Sequence, residues 1–477
     1  MELKIFRDTL PQAGADCTVK AELPLETEIL MLQKQLQPGR LTLDGYLRCT
    51  VFYQGEGGTG LCQTEQKLPF TKQLEVPELP FTSWTAMVEG QTEYLNSRAV
   101  NPHRIEVRGA FGLVVTLHTQ ASTEVITALA DGSIEQRLQT LSGVRSTAVL
   151  EKLVTTEGEL VFAKPPAAIL DITGTAAVRE VKGEIRALCA WRAEGETALQ
   201  SQAASLPFHQ VVDVDGITED CRCLCVLEPV GFTVAEGEQS TSGQLTASIM
   251  MHLHAWRPFQ LQTAADAFST RYETEITPQA LVVEDLVCLL NETSSATASG
   301  PLPDAGAQLR ACFVSYGPAQ VTETDGKAEL CVRALATAFA ENSLSELESY
   351  EKTMELRFPL AVETSPGTLL PECWLSTENV QCSCAGGTLE VTVTARAEGA
   401  ILGRETIRNI GSIQLGEPLA AADPEIALRI YYAQAGEKIF DIARRFHVSP
   451  AQMLAANGLD SGTQELPQAQ HFLVPGV

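Results

Sequence analysis

The sequence is short of positive charge and of long apolar runs. Lysine and arginine number 34 against 60 aspartate and glutamate residues, which gives a formal net charge of −26. Nucleic-acid binding depends on cationic side chains that neutralise phosphates, so this balance excludes nucleic acid as an expected partner. It disfavours an anionic membrane surface for the same reason. No run approaches the roughly 20 apolar residues that a spanning helix needs, so no membrane span is predicted.

Motifs of catalysis and cofactor binding are also scarce. The sequence contains no nucleophile elbow, no H-E-x-x-H pair and no phosphate loop of the G-x₄-G-K-[ST] type. Gly55–Gly60 satisfies the dinucleotide pattern G-x-G-x-x-G, but an extended polar stretch follows it where the pattern requires a helix. A hairpin loop is therefore the preferred interpretation. We predict a protein that is not an enzyme and uses no cofactor.

The cysteines and histidines are the candidate metal ligands of the sequence. Cys221–Cys225 and Cys382–Cys384 alternate as on one face of a strand, and so do His252 and His254. Structural zinc sites use C-x₂₋₄-C spacing, so this alternation predicts no metal site. We interpret these residues as small buried cysteines and two solvent-facing histidines.

The expected compartment is the cytoplasm. The 13 cysteines are an odd number without the spacing of a disulfide framework, which favours a reducing environment. Met1–Leu10 lacks an apolar core and carries acid where a signal peptide carries base, so no export is expected.

An internal repeat covers most of the chain. Gly45–Tyr53 and Gly183–Trp191 lie 138 positions apart, and the same offset places Leu68–Phe70 on Leu206–Phe208. Both copies alternate apolar and polar residues, the pattern of a strand with one face in a core. A looser third copy begins at Gly326. Alternating segments bounded by Gly, Pro and polar clusters predict mainly antiparallel β domains.

The repeat also sets the expected domain boundaries. Each copy is long enough to bury a core of its own. We predict three repeat domains at 1–140, 141–280 and 281–415, a proline- and alanine-rich linker at 416–426, and a C-terminal module at 427–477.

The C-terminal module has the clearest local pattern. A strand with Leu428, Ile430 and Tyr432 on its apolar face precedes a helical apolar stripe within Ile439–Phe446. Ser449–Gly458 has the start and end signals of a second helix, and Phe472–Val474 supplies a closing strand. The predicted order is strand, helix, helix, strand.

Tyr432–Leu459, together with Phe472–Pro475, resembles a LysM module. LysM modules bind ligands and perform no chemistry, so the resemblance implies a protein that is recruited or anchored by its tail. In that family two loops bind the ligand, and the resemblance places them at Gly436, Glu437, Lys438, Asn457, Gly458, Leu459 and Asp460. Lys438 replaces a short hydroxyl residue of many family members, which argues against glycan recognition. Glu437 either takes part in binding or favours the helix start through its charge.

Glu93–Arg108 resembles the core signature of the SPOCS domain of spore-coat and sporulation proteins, and Asp266–Glu273 resembles another segment of that family. Several such repeats followed by one LysM module imply a non-enzymatic scaffold or adaptor in endospore coat morphogenesis. The expected place is the mother-cell cytoplasm at the forespore surface. The expected partner is a basement-layer coat morphogenetic protein of the SpoIVA type.

Two other functions stay open. The chain could be a peptidoglycan-binding protein of the spore cortex or cell surface, which would need an export route. It could also be an enzyme targeted by the module, although no motif supports that. Edge strands of antiparallel repeats can accept a partner strand, so self-association is a further expectation.

Overall fold

The computed structural model describes residues 4–13, 17–23, 28–54, 61–78, 81, 83–101, 104–179, 182–196, 199–324, 327–344, 347–363, 367–420 and 429–475. The Gly55–Gly60 segment and residues 421–426 of the predicted linker lie outside these ranges. Strands dominate the described chain and pair antiparallel, which confirms the prediction of a mainly antiparallel β fold.

The strands follow the three copies of the repeat. The first copy contains β1 (Lys4–Ala13), β2 (Cys17–Leu23), β3 (Glu28–Gln37), β4 (Arg40–Gln54), β5 (Leu61–Glu75), β6 (Ser83–Asn101) and β7 (Arg104–Ala130). The second contains β8 (Ile134–Val161), β9 (Pro166–Arg179), β10 (Lys182–Ala193), β11 (Leu199–Phe208), β12 (Arg222–Glu236) and β13 (Ser242–Ser269). The third contains β14 (Tyr272–Pro301), β15 (Gln308–Tyr316), β16 (Gln320–Thr324), β17 (Lys327–Glu341), β18 (Leu347–Glu363), β19 (Thr368–Ala385) and β20 (Thr388–Pro418). The module contains β21 (Arg429–Ala433), α1 (Ile439–Phe446), α2 (Pro450–Ala456) and β22 (Gln470–Val474).

Each copy has a small sheet whose middle strand is the repeated segment. β4 lies between β3 and β5, β10 lies between β9 and β11, and β17 pairs with β15, β16 and β18. The cross-strand partners match between the first two copies at the same 138-residue offset: Leu47 with Leu68, and Ile185 with Leu206. The repeat seen in the sequence is therefore a repeat of strand register.

Each copy also has a long sheet, with β7, β13 or β20 in its middle. β13 pairs with β8 and β12, β20 pairs with β14 and β19, and β7 pairs with β6 and with β1 and β2 in succession. Glu93–Arg108, the segment noted above for its resemblance, comprises the end of β6 and the start of β7, and its residues 102 and 103 lie outside the described ranges. Residues 140 and 280, where domain boundaries are predicted, fall inside β8 and β14.

One half of each long strand packs on the small sheet of its own copy. In the second copy, one face of β10 contributes Ile185, Ala187, Cys189 and Trp191, and one face of β13 contributes Leu245, Ala247, Ile249 and Met251. All of these side chains are buried. Burial of apolar surface between two sheets thus forms the core of a β-sandwich.

The other halves of the three long strands meet in one shared core. A single bulged residue interrupts the pairing at Thr127, Ala265 and Gly411, positions that are 138 and 146 residues apart. Around the bulges the shared core contains Ile126, Leu129, Ala264, Ala267, Ile410 and Ile413. The three copies therefore contribute equivalent residues, and the bulges fix which ones face inward.

Candidate functional site

The C-terminal module folds as the predicted strand, helix, helix and strand. Its core contains buried residues from every element, among them Ala433, Ile442, Met453 and Phe472. The buried face of β21 differs from the expectation, because Ile430 and Tyr432 are 57% and 54% exposed. Tyr431 faces the helices instead: its hydroxyl bonds to Glu437 and Arg445, and its ring packs edge-on against Phe446.

The first predicted loop is held in shape by its own acidic residue. Glu437 accepts hydrogen bonds from the Tyr431 hydroxyl and the Gln434 amide, both at 2.8 Å, and the bond from Tyr431 raises the pKa of that phenol. Gly436 has φ of +82°, a left-handed conformation that suits glycine. Lys438 precedes α1 and is exposed, with its amine 3.9 Å from Glu465. Glu437 is thus engaged within the loop, whereas Lys438 points to solvent.

The second predicted loop is tied to the last strand. The Asn457 side-chain amide donates to the Met453 and Leu473 carbonyls, and its oxygen accepts the Leu473 amide at 2.7 Å. Gly458 has φ of +63° and ends the second helix, as predicted. Leu459 packs against the module core, while Asp460 is exposed.

The two loops come together through the end of the second loop. The Gly436 amide donates to the Leu466 carbonyl at 2.8 Å, and the Leu466 amide donates to the Glu437 carbonyl at 3.0 Å. Gly436, Lys438, Gly458 and Asp460 are the predicted site residues that remain exposed for a ligand. Glu437 and Asn457 give this surface its shape.

No family model, curated protein or solved structure matches this chain. Within the described residues, no helix has the length and apolar character needed to cross a membrane.

The module also contacts the second copy of the repeat, which the sequence analysis missed. We call the contacted residues Asp266, Phe268 and Ser269 the dock. Phe268 is 2% exposed and lies in the module core, with its ring edge-on to Phe440 at a centroid distance of 5.2 Å. Arg444 donates to the Asp266 carboxylate at 2.7 Å. The Nδ1 atom of His447 lies 3.1 Å from the Ser269 carbonyl oxygen.

Charge supports the same contact. Arg137 lies 3.5 Å from both Asp266 and Asp441, and its guanidinium is 5.3 Å from the centre of the Phe440 ring. An open cleft of about 780 Å³ beside the dock has Glu273 and Glu275 from β14 in its lining, together with the basic residues Arg444, Arg445 and His447 from the module. Acidic side chains of the repeats thus lie near basic side chains of α1.

Of the three copies of the repeat, the second has the side chains that form the dock. At the offsets defined by the bulges, Ala128 and Ser412 correspond to Asp266, and Ala130 and Gln414 correspond to Phe268. Neither equivalent pair offers a carboxylate and an aromatic ring. The available sequence signal was Asp266–Glu273 itself, noted for its family resemblance and not for any contact with the tail.

A second group of interest is a charged network where the copies meet. The histidines expected to face solvent are covered: His252 is 8% exposed and stacks near Trp374, and the His254 side chain lies 3.4 Å from Glu372. This prediction was wrong because β19 of the third copy covers the face of β13 opposite the sandwich core.

His252 joins parts of two copies. Its Nε2 lies 2.8 Å from Glu228 and its Nδ1 lies 3.4 Å from Glu151, which also accepts a bond from Lys34 at 2.6 Å. Burial alone would lower the pKa of His252, but the two carboxylates outweigh it and raise that pKa. Burial would raise the pKa of Glu151, but His252 and Lys34 lower it to about 2.

The cysteines also differ in part from expectation. Cys223 and Cys225 are exposed and Cys221 is half-buried, so the prediction of small buried cysteines was wrong for this cluster. They precede the part of β12, from Leu227 to Val234, that packs on the small sheet. Cys382 and Cys384 are half-buried. Among the described residues, no three histidine, cysteine or acidic side chains are arranged to hold a metal ion.

Proposed function

We propose that this chain is a non-enzymatic scaffold or adaptor of endospore coat morphogenesis, acting in the mother-cell cytoplasm at the forespore surface. In this proposal the repeats are SPOCS-like domains and the tail is a LysM-type module. The module binds a basement-layer coat protein of the SpoIVA type. The proposal rests on the sequence resemblance and on one structural observation, the surface that the module leaves exposed.

That surface is the outer face of the two-stranded sheet of the module. Ile430 pairs with Leu473 across the strands, and Tyr432 pairs with His471. Ile430, Tyr432 and Leu473 are 57%, 54% and 38% exposed. Adjacent exposed apolar side chains on a small domain mark a protein-binding surface. Lys438 adds a cation that suits an acidic partner better than a neutral sugar.

The position of the module favours recruitment. Helix α1 faces the dock, so the module is held by one side while β21, β22 and the loops stay accessible. A partner bound there would be fixed relative to the repeats. This is the arrangement that an adaptor needs in order to transmit position from one protein to another.

The test is capture by the immobilised full chain, offered a purified SpoIVA-type coat protein and purified peptidoglycan in parallel. We expect capture of the coat protein. A double variant Ile430→Ser, Leu473→Ser should abolish it, and Lys438→Glu should weaken it by up to about fivefold, the range of an exposed ion pair. Lys152→Glu, which changes an exposed lysine on β8, is the matched control.

Two results would contradict the proposal. Capture of peptidoglycan alone would support the glycan-binding alternative and require an export route. Capture of the coat protein that survives both module changes would place the binding surface elsewhere on the chain.

A further inference from the structure

Every molecule of this protein carries both the dock and the module, whose contacting surfaces are complementary. The module offers Phe440, Arg444 and His447, and the dock offers Phe268, Asp266 and Ser269. The two surfaces differ from each other, so the contact is heterologous in the sense used for subunit interfaces. A heterologous pair within one chain can also form between two chains.

The ion pairs of this contact are weak enough to break and form again readily. Arg444, Arg137 and Asp441 are 52%, 40% and 55% exposed, and ion pairs with exposed members contribute little and are screened by salt. The buried anchor is one side chain, Phe268. We therefore expect the dock to hold the module by one aromatic residue and a charge match.

The covalent connection also permits exchange. Leu419 is still bonded to the body, through its amide to the Arg271 carbonyl, and the module begins at Arg429. A stretch of that length reaches at most about 35 Å when extended. When molecules of this protein are crowded together, the module of one molecule can reach a dock on a neighbouring molecule that lies within this distance.

We propose that the module is exchanged between two molecules of this protein. The α1 face of one molecule binds Asp266 and Phe268 of the other molecule. A short connection gives the module a millimolar effective concentration at its own dock, so isolated chains keep the contact internal. Crowded chains form dimers by reciprocal exchange, or longer assemblies when the exchange does not close. This inference rests on the dock alone and not on the proposed coat partner.

The test mixes two full-length variants that are each defective in one half of the contact. The donor carries Asp266→Ala and Phe268→Ala, which introduce the alanines of the first copy, Ala128 and Ala130, and leave every residue of 429–475 unchanged. The acceptor carries Phe440→Ala, Asp441→Arg and Arg444→Glu, which remove the ring that packs on Phe268 and place like charges opposite Arg137 and Asp266, while leaving the net charge of the module unchanged.

Each variant alone should be a monomer of 51.4 kDa by light scattering. An equimolar mixture should give a species of twice that mass at about 0.1 mM. This concentration is about tenfold below the millimolar effective concentration of a module that is tethered beside its own dock. High salt should reduce the amount of this species. If the donor does not fold, Asp266→Arg alone serves as a second donor, because a cation at this position, which is only 14% exposed, repels both Arg137 and Arg444. A mixture of folded variants that stays monomeric overturns the proposal.

Discussion

Replacing Phe268 with alanine should loosen the C-terminal module although the change lies outside it. The Phe268 ring is 2% exposed and packs among the core residues of the module. Truncation of a buried phenylalanine costs about 3–5 kcal/mol, from lost burial and from the cavity that remains. The Asp266–Arg444 pair contributes at most about 1 kcal/mol, because Arg444 is 52% exposed. The aromatic contact should therefore dominate the stability of the docked module.

Hydrogen exchange of the buried amides of α1, at Ile442 and Ala443, measures this stability. A loss of about 3 kcal/mol lowers their protection about 100-fold when exchange occurs through opening of the module. Asp266→Ala should lower it no more than about fivefold. Gln414→Ala changes the exposed, equivalent residue of the third copy and is the matched control.

The outcome discriminates between two descriptions of the tail. Unchanged protection in Phe268→Ala would mean that the module core is complete without the dock, and the reasoning above would be refuted. A 100-fold loss that Gln414→Ala does not reproduce would mean that the second copy contributes part of the core of the module.

Three further predictions follow from the contacts. Because the pKa of His252 is raised, this residue stabilises the fold fully below its ordinary pKa of 6.5, and the contribution is lost as pH rises through the raised pKa. The pKa of Glu151 is lowered to about 2, so Glu151 stabilises the fold above its ordinary pKa of 4.5 and loses this contribution as pH falls toward 2. Urea midpoints between about pH 5 and pH 9 should fall at the alkaline end in the wild type and stay flatter in His252→Gln. Trp191→Ala should cost about 3–5 kcal/mol in urea unfolding because the ring is 1% exposed, whereas exposed Leu188→Ala on the same strand should change little. Asn457→Ala should lower the melting temperature of the module by removing its bonds to Met453 and Leu473, a loss of about 1–3 kcal/mol, whereas Gln452→Ala on an exposed position of α2 should not.

Local periodicity predicted much of the fold. Alternation in Gly183–Trp191 identified both the strand and its buried face, since a strand presents successive side chains to opposite sides. The 138-residue offset predicted that the first two copies are equivalent, and the structure gives them equivalent cross-strand pairs, Leu47 with Leu68 and Ile185 with Leu206. In the module, helix signals near Ser449 and Gly458 agree with the bounds of α2.

Contacts between distant segments could not be predicted in the same way. The burial of His252 depends on Trp374, and its neighbour Glu151 bonds to Lys34; each contact joins residues more than 100 positions apart in sequence. The outer face of β21 was misassigned because Tyr431 is amphipathic: its ring packs inward while its hydroxyl bonds to Glu437. The dock was missed because an Asp-Ala-Phe segment has no pattern that indicates a partner.

The charged network explains how three similar copies can take fixed places. The shared apolar core draws equivalent residues from all three, so burial alone would tolerate several arrangements. The polar contacts are not equivalent: Lys34 of the first copy meets Glu151 of the second, and His254 of the second meets Glu372 of the third, which is 3% exposed. A different arrangement would leave such a charge buried without its partner, at a cost of several kcal/mol. We infer that apolar burial stabilises the assembly of the copies, whereas these polar contacts determine which copy lies beside which.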